Sequence, residues 1–444
     1  MKNDSLVVSS YAPSSRLEVL MKSKEAVTFE SRLSSTSYFC KDRPLVEISP
    51  DPECEVCAIV PVRNEAALLT QTLISLLEQV DLQGQPLAKN RYEIIVFANN
   101  CTDESAQIAR DFASQHPDLV LHVVERTLPA SEAYIGRVRQ MLMDEACRRL
   151  LSINRDRGVI ASTDGDTRVS PTWIAATLSE IAQGADAVGG KILTDRHQRA
   201  NLEPHARNCF LRGAGYYSLI VELEAYIDPD PFDGFPRHNH HYGASLAVTA
   251  QMYQRVGGMP AVRTPEDVAF YQALVRADAR FRHSLLVKVT TAARDSGRTA
   301  EGFANQLRMW TEMGQKGEEF RVETPLAVES RLRARRRLRK IWQQHLSGYL
   351  PKNHDFIRVS KNLGINHSWL RSQLAQSQTF GALWEQVEQR QQTEGIWQQR
   401  WSLVPIKQAI ADLRVRVNSL RQQRQVPSLV VNRPSPQISW KKGA

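Results

Sequence analysis

Between residues 57 and 164 four short apolar runs alternate with helical segments, and this alternation confines the chain to a layered α/β fold. The runs are CAIVPV (Cys57–Val62), YEIIVFA (Tyr92–Ala98), Leu119–Glu125 and GVIASTD (Gly158–Asp164). Each is short, apolar and bounded by polar residues, the pattern of a strand buried on both faces. Between them, Glu65 to Gln79 places Leu68, Leu69, Leu73, Leu76 and Leu77 at helical spacing. Asp103–Ser114 and a longer segment from about Ser131 to Leu151 are also helical, and Ser170-Pro171 opens a further helix with Ser as its N-cap. The expected architecture is a Rossmann-like, mostly parallel, doubly wound sheet with helices on both faces. In such sheets ligands lie outside the carboxyl ends of the strands. The polar loops RNEAA, NNCTDES and DGDT each follow one of these strands directly.

Past Asp195 the pattern is less regular. GASLAVT (Gly243–Thr249) reads as a strand, PEDVAFYQALVRA as a helix opening with Glu266-Asp267, and SLLVKVTT (Ser284–Thr291) as a further strand. Residues 1–50 are Ser-rich and patternless, an extension that is poorly ordered or draped over the body. The α/β domain is expected over 51–325, a helical basic extension over 326–425 and a loose tail over 426–444. Charge follows the same division: residues 1–330 carry −7 and residues 331–444 carry +16 of the net +9. A uniformly basic nucleic-acid binder would not be so divided. No run approaches the roughly 18–20 apolar residues of a membrane span. With no basic-then-apolar signal at the amino terminus and six cysteines lacking a framework spacing, a cytoplasmic protein is expected.

Three sets of residues carry candidate chemistry. Asp164 and Asp166 of DGDT sit at i and i+2 beyond an apolar strand, where two carboxylates and a bound phosphate can share one Mg²⁺ or Mn²⁺. D-x-D also occurs as an ordinary polar turn. Glu266 and Asp267 open a helix after a proline. That position stabilises an anion, so the pair serves either as helix capping or as a general base facing an acceptor hydroxyl. The loops VPVRNEA and NNCTDES offer Asn and Asp side chains at helix starts, which suit anionic ligands and base or ribose edges but also suit simple N-capping.

VPVRNEA, NNCTDES, DGDT and PEDVA, in this order and at these separations, resemble the family 2 glycosyltransferases of the GT-A fold over roughly residues 54–310. The resemblance implies an inverting sugar transfer from a nucleotide-sugar donor to a hydroxyl acceptor. It places Pro61, Arg63, Asn64 and Glu65 at the nucleoside, and Asn99, Asn100 and Asp103 at the base, with Asn where the family usually has an acid. It places Asp164 and Asp166 at the ribose and the metal–diphosphate, Asp267 at the catalytic base with Glu266 beside it, and Arg139 near the nucleotide. The processive pattern Gln-x-x-Arg-Trp is replaced by NQLRMW (Asn305–Trp310), which implies a non-processive enzyme. Where many relatives supply a late metal-binding His, this chain reads TTAARDSGR, and Arg294 and Arg298 are candidate diphosphate clamps. Arg137 lies on the same helical segment as Arg139.

RHNHHYG holds His238, His240 and His241, which lack zinc-ligand spacing and read as a mobile loop on the acceptor side. Cys54-x-x-Cys57 has no second pair and enters a strand. ESRLRARRRLRK places seven basic residues within 331–340, a solvated helix face, a peripheral contact with an anionic membrane at its inner face, or a contact with nucleic-acid phosphates, the last disfavoured by the divided charge. Two rival functions remain at this level. A nucleotidyltransferase would want a Gly-rich loop after the first strand, which RNEAA is not; a basic-tailed scaffold would have no need of the acidic loops.

Overall fold

The computed structural model describes residues 44–293, 302–349 and 352–424. Its first half runs β1 (Val56–Val62), α1 (Leu69–Leu77), β2 (Tyr92–Asn99), α2 (Ser105–Gln115), β3 (Leu121–Arg126), α3 (Ile135–Ser152) and β4 (Val159–Ser162). These are the elements that the apolar runs predict, with ends moved by a few residues. Every residue of β1 and β2 is buried. Alternate residues of β1 serve opposite layers, because side chains alternate across a strand. Cys57 and Ile59 pack with Leu142, Met143 and Ala146 of α3, whereas Val56, Ala58 and Val60 pack with Leu69, Leu73 and Leu76 of α1.

The chain continues through β5 (Thr167–Val169), α4 (Trp173–Ala182), β6 (Ala187–Thr194), α5 (Arg196–Ala200), α6 (Pro204–Ile227), β7 (Leu246–Thr249), α7 (Ala250–Arg255), α8 (Glu266–Arg276) and β8 (Phe281–Thr291). Helix α4 is entered at Thr172 rather than at Ser170, whose carbonyl instead accepts the Trp173 N–H in a preceding turn. The eight strands form one sheet in the order β3-β2-β1-β4-β7-β6-β8-β5. The β3-β2-β1-β4 half is parallel. Strand β7 then enters antiparallel between β4 and β6, and β6 and β8 are parallel to each other. This mixed sheet between two helical layers is the GT-A fold that the resemblance implies.

The reversal of β7 positions the site. Leu246, its first residue, pairs with Ser162, the last residue of β4. The residues just before β7 therefore arrive at the same sheet end as the DGDT loop. Apolar alternation does not reveal strand direction, so the sequence could not show this.

The remaining elements are α9 (Phe303–Gln315), β9 (Arg321–Val322), α10 (Pro325–Leu346), α11 (Asn353–Leu363), α12 (His367–Gln376), α13 (Phe380–Thr393), α14 (Ile396–Arg400), β10 (Val404–Pro405) and α15 (Ile406–Arg424). Leu338, Phe356, Leu363, Leu370 and Leu383 give this extension its own core. Side chains this deeply buried contribute roughly 1.5–3 kcal/mol each. The extension also joins the body. Ile406, Ala409, Leu413 and Val417 of α15 pack with Tyr216 and Tyr217 of α6. Helix α13 meets the far end of α8, where Arg276 forks onto Glu385 at 2.5 and 2.6 Å.

The basic run on α10 is largely turned inward. Arg335 and Arg339 close on Asp228, at the end of α6, and Arg335 also reaches Glu224. Arg331 pairs with Glu323 and Arg333 with Glu329. At the other terminus, Arg149 Nη1 donates to the Ile48 carbonyl at 2.6 Å and draws residues 44–50 over α3. Residues 1–43 and 425–444, with the expected loose ends, lie outside the described residues. No described helix is long and apolar enough to cross a membrane.

Candidate active site

The loops that follow β1, β2 and β3 are stitched into one wall. Asn64 and Asn100 adopt left-handed backbone angles, φ 56° and 49°, which Asn tolerates better than most residues. The Asn64 carboxamide accepts the Thr102 N–H at 2.7 Å and donates to the Thr102 hydroxyl. The Asn100 carboxamide accepts from and donates to the backbone of Leu128, both at 2.9 Å. Asp103 accepts the N–H and O–H of Ser105 with one oxygen and the Ala66 N–H with the other. The Glu65 N–H in turn donates to Ser105 Oγ at 2.8 Å. Asn64, Asn100 and Asp103 therefore act as ties between the loops. Pro61 is buried beneath them and Arg63 is exposed. Asn99 differs: it is 4% exposed, and its Oδ1 has no hydrogen-bond partner among the described residues.

Beyond this wall, Asp164 and Asp166 leave β4, and Glu266 and Asp267 open α8. A single side chain joins the two acidic pairs. Arg139, 3% exposed on α3, donates from Nη2 to Asp164 Oδ1 at 2.7 Å and from Nη1 to Glu266 Oε1. Planar guanidinium groups suit such two-point bridging of carboxylates. The two acidic clusters thus meet at one guanidinium. Asp164 registers the crowding: desolvation, with the charges of Asp166 and Asp267 adding to it and Arg139 opposing it, raises its pKa to about 6.

Asp267 is held by backbone. Its Oδ2 accepts the Gly243 N–H and its Oδ1 the Val268 N–H, each at 2.8 Å. Gly243 is a site residue that sequence reasoning passed over, visible there only as the first residue of GASLAVT. A Cβ on it would stand 2.4 Å from the Arg139 guanidinium carbon, so a larger residue would force the arginine or the loop to shift. Arg137 pairs with Glu132 at 3.5 Å and donates to Gln140 at 3.0 Å. Arg294 and Arg298 lie outside the described residues.

The histidine loop departs from expectation. It is packed rather than mobile: His238 is 4% exposed with Nε2 at 3.0 Å from the Ser284 carbonyl, and His240 Nδ1 accepts the Ile192 N–H at 3.0 Å. His241 stacks on Tyr271 of α8, ring centroids 3.9 Å apart. Burial, then neighbouring positive charge, pushes the His240 pKa down to about 3 and lowers that of His238 further, so these two rings are neutral packing elements. Among the described residues no group of three or more His, Cys, Asp or Glu side chains could hold a metal ion. The five described cysteines are free, and burial raises the Cys54 and Cys57 thiols. A zinc or redox role for that pair finds no support.

Residues 57–235 match the model of the family described as glycosyl transferase family 2. The matched segment includes the β1, β2 and β4 loops and Arg139 and ends before Gly243 and the Glu266–Asp267 pair. Glycosyltransferase AglE of Haloferax volcanii is 26% identical over 139 residues, 31% of this chain and 39% of that protein. The match therefore spans about two fifths of the curated relative. Among solved structures, Staphylococcus aureus TarS 1–349 in complex with UDP-GlcNAc aligns over 77% of this chain and 92% of its own, with 13% identity and a TM-score of 0.40. The mannosyltransferase PcManGT of Pyrobaculum calidifontis, in complex with GDP-Man and Mn²⁺, aligns over 88% and 92%, with 17% identity and a TM-score of 0.37.

Proposed function

We propose that this chain, a member of glycosyl transferase family 2 through its residues 57–235, transfers a sugar from a nucleotide-sugar donor to an acceptor hydroxyl with inversion, Asp267 serving as general base. The observation that carries the reading is the Arg139 bridge, which joins Asp164 of the DGDT loop to Glu266 at the start of α8.

In this reading the donor lies along the loops of β1, β2 and β4. Asn99 Oδ1, buried and without a partner among the described residues, offers an acceptor for a base N–H. Asp164 and Asp166 supply only hard oxygen donors and leave room in a cation's shell for water and diphosphate, which fits Mg²⁺ or Mn²⁺. Such an ion would offset the charge that grows on the departing diphosphate. The two N–H groups that hold Asp267 take one lone pair from each of its oxygens and leave others open to the acceptor O–H. Asp267 accepts that proton as the acceptor oxygen bonds to the anomeric carbon. The bond from that carbon to the diphosphate breaks, and the diphosphate leaves with the electron pair.

A panel of nucleotide sugars screened for Mn²⁺-dependent breakdown tests the reading without knowledge of the acceptor. The expected result is slow hydrolysis of one or two donors, weakened or lost in Asp166→Ala. Pyrophosphate release from a nucleoside triphosphate and a sugar phosphate would overturn it in favour of nucleotidyl transfer.

A further inference from the structure

Lys191, in the outer half of β6, is half-buried and has no hydrogen-bond or carboxylate partner among the described residues. Desolvation lowers its pKa, and no nearby acid opposes that effect. In the β6–β8 register Lys191 stands beside Lys288, whose exposed ammonium group is likewise unpartnered among the described residues. Partial burial of an ammonium group without a counter-charge is costly, and the paired strand position adds a second cation rather than an acid. An anion bound at this pair would relieve that cost.

The position connects this pair to the cleft. Lys191 follows the strand segment that pairs with β7 at the DGDT end of the sheet. The next residue, Ile192, donates its N–H to His240, and the loop of His240 runs directly to Gly243, whose N–H holds Asp267. Burial first, and then the Lys191 charge, hold His240 neutral, so the lysine lies against this loop. Leu193 and Leu286, 44% and 57% exposed, occupy alternate positions on the same strands as the lysines and leave this part of the sheet open.

We propose that Lys191 and Lys288 form an oxyanion subsite beside the catalytic cleft, which holds a phosphate or carboxylate group carried by the acceptor. The inference rests on the glycosyltransferase reading for the word acceptor, and on the lysine pair alone for the oxyanion. Ammonium groups suit this task because they hold phosphate as point charges that need no fixed fork geometry.

The test measures binding of three probes to the full chain at constant ionic strength by titration calorimetry: glycerol 3-phosphate, glycerate and glycerol. Glycerol 3-phosphate is expected to bind and glycerol not. Lys191→Met should weaken the interaction about tenfold and Lys288→Met about threefold, with Lys191→Arg restoring most of it. Tighter binding of glycerate than of the phosphate ester would assign the subsite to carboxylates. Absence of binding by either anion up to about 50 mM, a Kd too weak to matter at a built site, would overturn the proposal. So would unchanged binding in both Met variants. Lys191→Gln, judged with its thermal midpoint, replaces Lys191→Met if that variant fails to fold. Loss of donor breakdown by the wild-type chain would remove the enzymatic reading separately, leaving oxyanion binding to stand or fall on these titrations.

Discussion

Arg139 and Glu266, 127 residues apart in sequence, form a salt bridge whose side chains are 4% and 5% exposed, and the same guanidinium holds Asp164. Breaking a buried pair by removing one partner costs about 3–5 kcal/mol, because the other charge stays behind unpaired. Arg139→Met is therefore expected to lose that much stability in urea unfolding, together with donor breakdown. Arg139→Lys keeps the charge but cannot fork onto two carboxylates, and should recover stability only in part. A Lys variant with wild-type stability and turnover would show that the bridge is incidental.

Asp267 and its backbone donors give a second prediction. Asp267→Asn keeps the shape of the side chain and removes the base, so transfer should fall by about 10²–10⁴ while donor affinity is retained. Gly243→Ala acts one step away. Its methyl group meets the Arg139 guanidinium, so the arginine or the Gly243 N–H must shift. We expect kcat to fall with a smaller change in donor KM, because the Gly243 N–H holds the base directly whereas Arg139 reaches the donor loop through Asp164. Equal loss of donor binding would place Gly243 in the donor wall instead.

The parallel half of the sheet and the polar loops at its carboxyl edge were legible because buried strands and amphipathic helices leave periodic signatures. Asp164, Asp166 and Asp267 could be singled out because each stands at a predictable junction of strand, loop and helix. The roles of their neighbours were not legible. Asn64, Asn100 and Asp103 look like ligand-reading residues in sequence, and in the structure their side chains tie loop to loop. Gly243 and Lys191 depend on the antiparallel entry of β7 and on a register between β6 and β8, neither of which hydrophobic pattern encodes. The histidine loop, polar in composition, is pinned by Ser284, Ile192 and Tyr271, partners contributed by distant strands and a helix.

Acid stability should report a pair far from the cleft. Glu93 of β2 and Arg149 of α3 are 1% and 0% exposed and joined by two hydrogen bonds of 2.8 and 2.5 Å. Burial alone would raise the Glu93 pKa; the hydrogen bonds from Arg149 and His122 overcome it and hold the value down to about 2, against an ordinary 4.5. A carboxyl depressed in the folded state stabilises it fully above its unfolded pKa and progressively less as pH falls through the folded value. The contribution, roughly 3 kcal/mol, should therefore be intact above about pH 4.5 and decline toward pH 2. Unfolding free energies measured from pH 6 to pH 2 should fall less steeply in Glu93→Gln, from a lower starting point because Arg149 is left buried and unpaired. An unchanged slope would remove Glu93 as a source of acid sensitivity.

Helix α10 yields the final prediction, since its arginines face the body more than the solvent. Arg335 bridges Glu224 and Asp228 at 2.5 Å, and Asp228 is 1% exposed on its side chain. Arg335→Ala should destabilise the chain by about 2 kcal/mol, less than a lone buried pair would lose because Arg339 still reaches Asp228. The same pairing limits what this run can offer a membrane. With Arg331, Arg333, Arg335 and Arg339 matched to internal carboxylates, Arg336, which meets only the Ile227 carbonyl, Arg337 and Lys340 carry the charge left for lipid. At about 1 kcal/mol per charge, three residues give weak, salt-sensitive adsorption to anionic vesicles. Sedimentation with vesicles rich in phosphatidylserine should show such binding at low salt, and Arg336→Ala with Arg337→Ala and Lys340→Ala should abolish it with little movement of the thermal midpoint. Strong adsorption that survived 0.3 M salt would mean that α10 releases Asp228 and turns its arginines outward at the lipid surface.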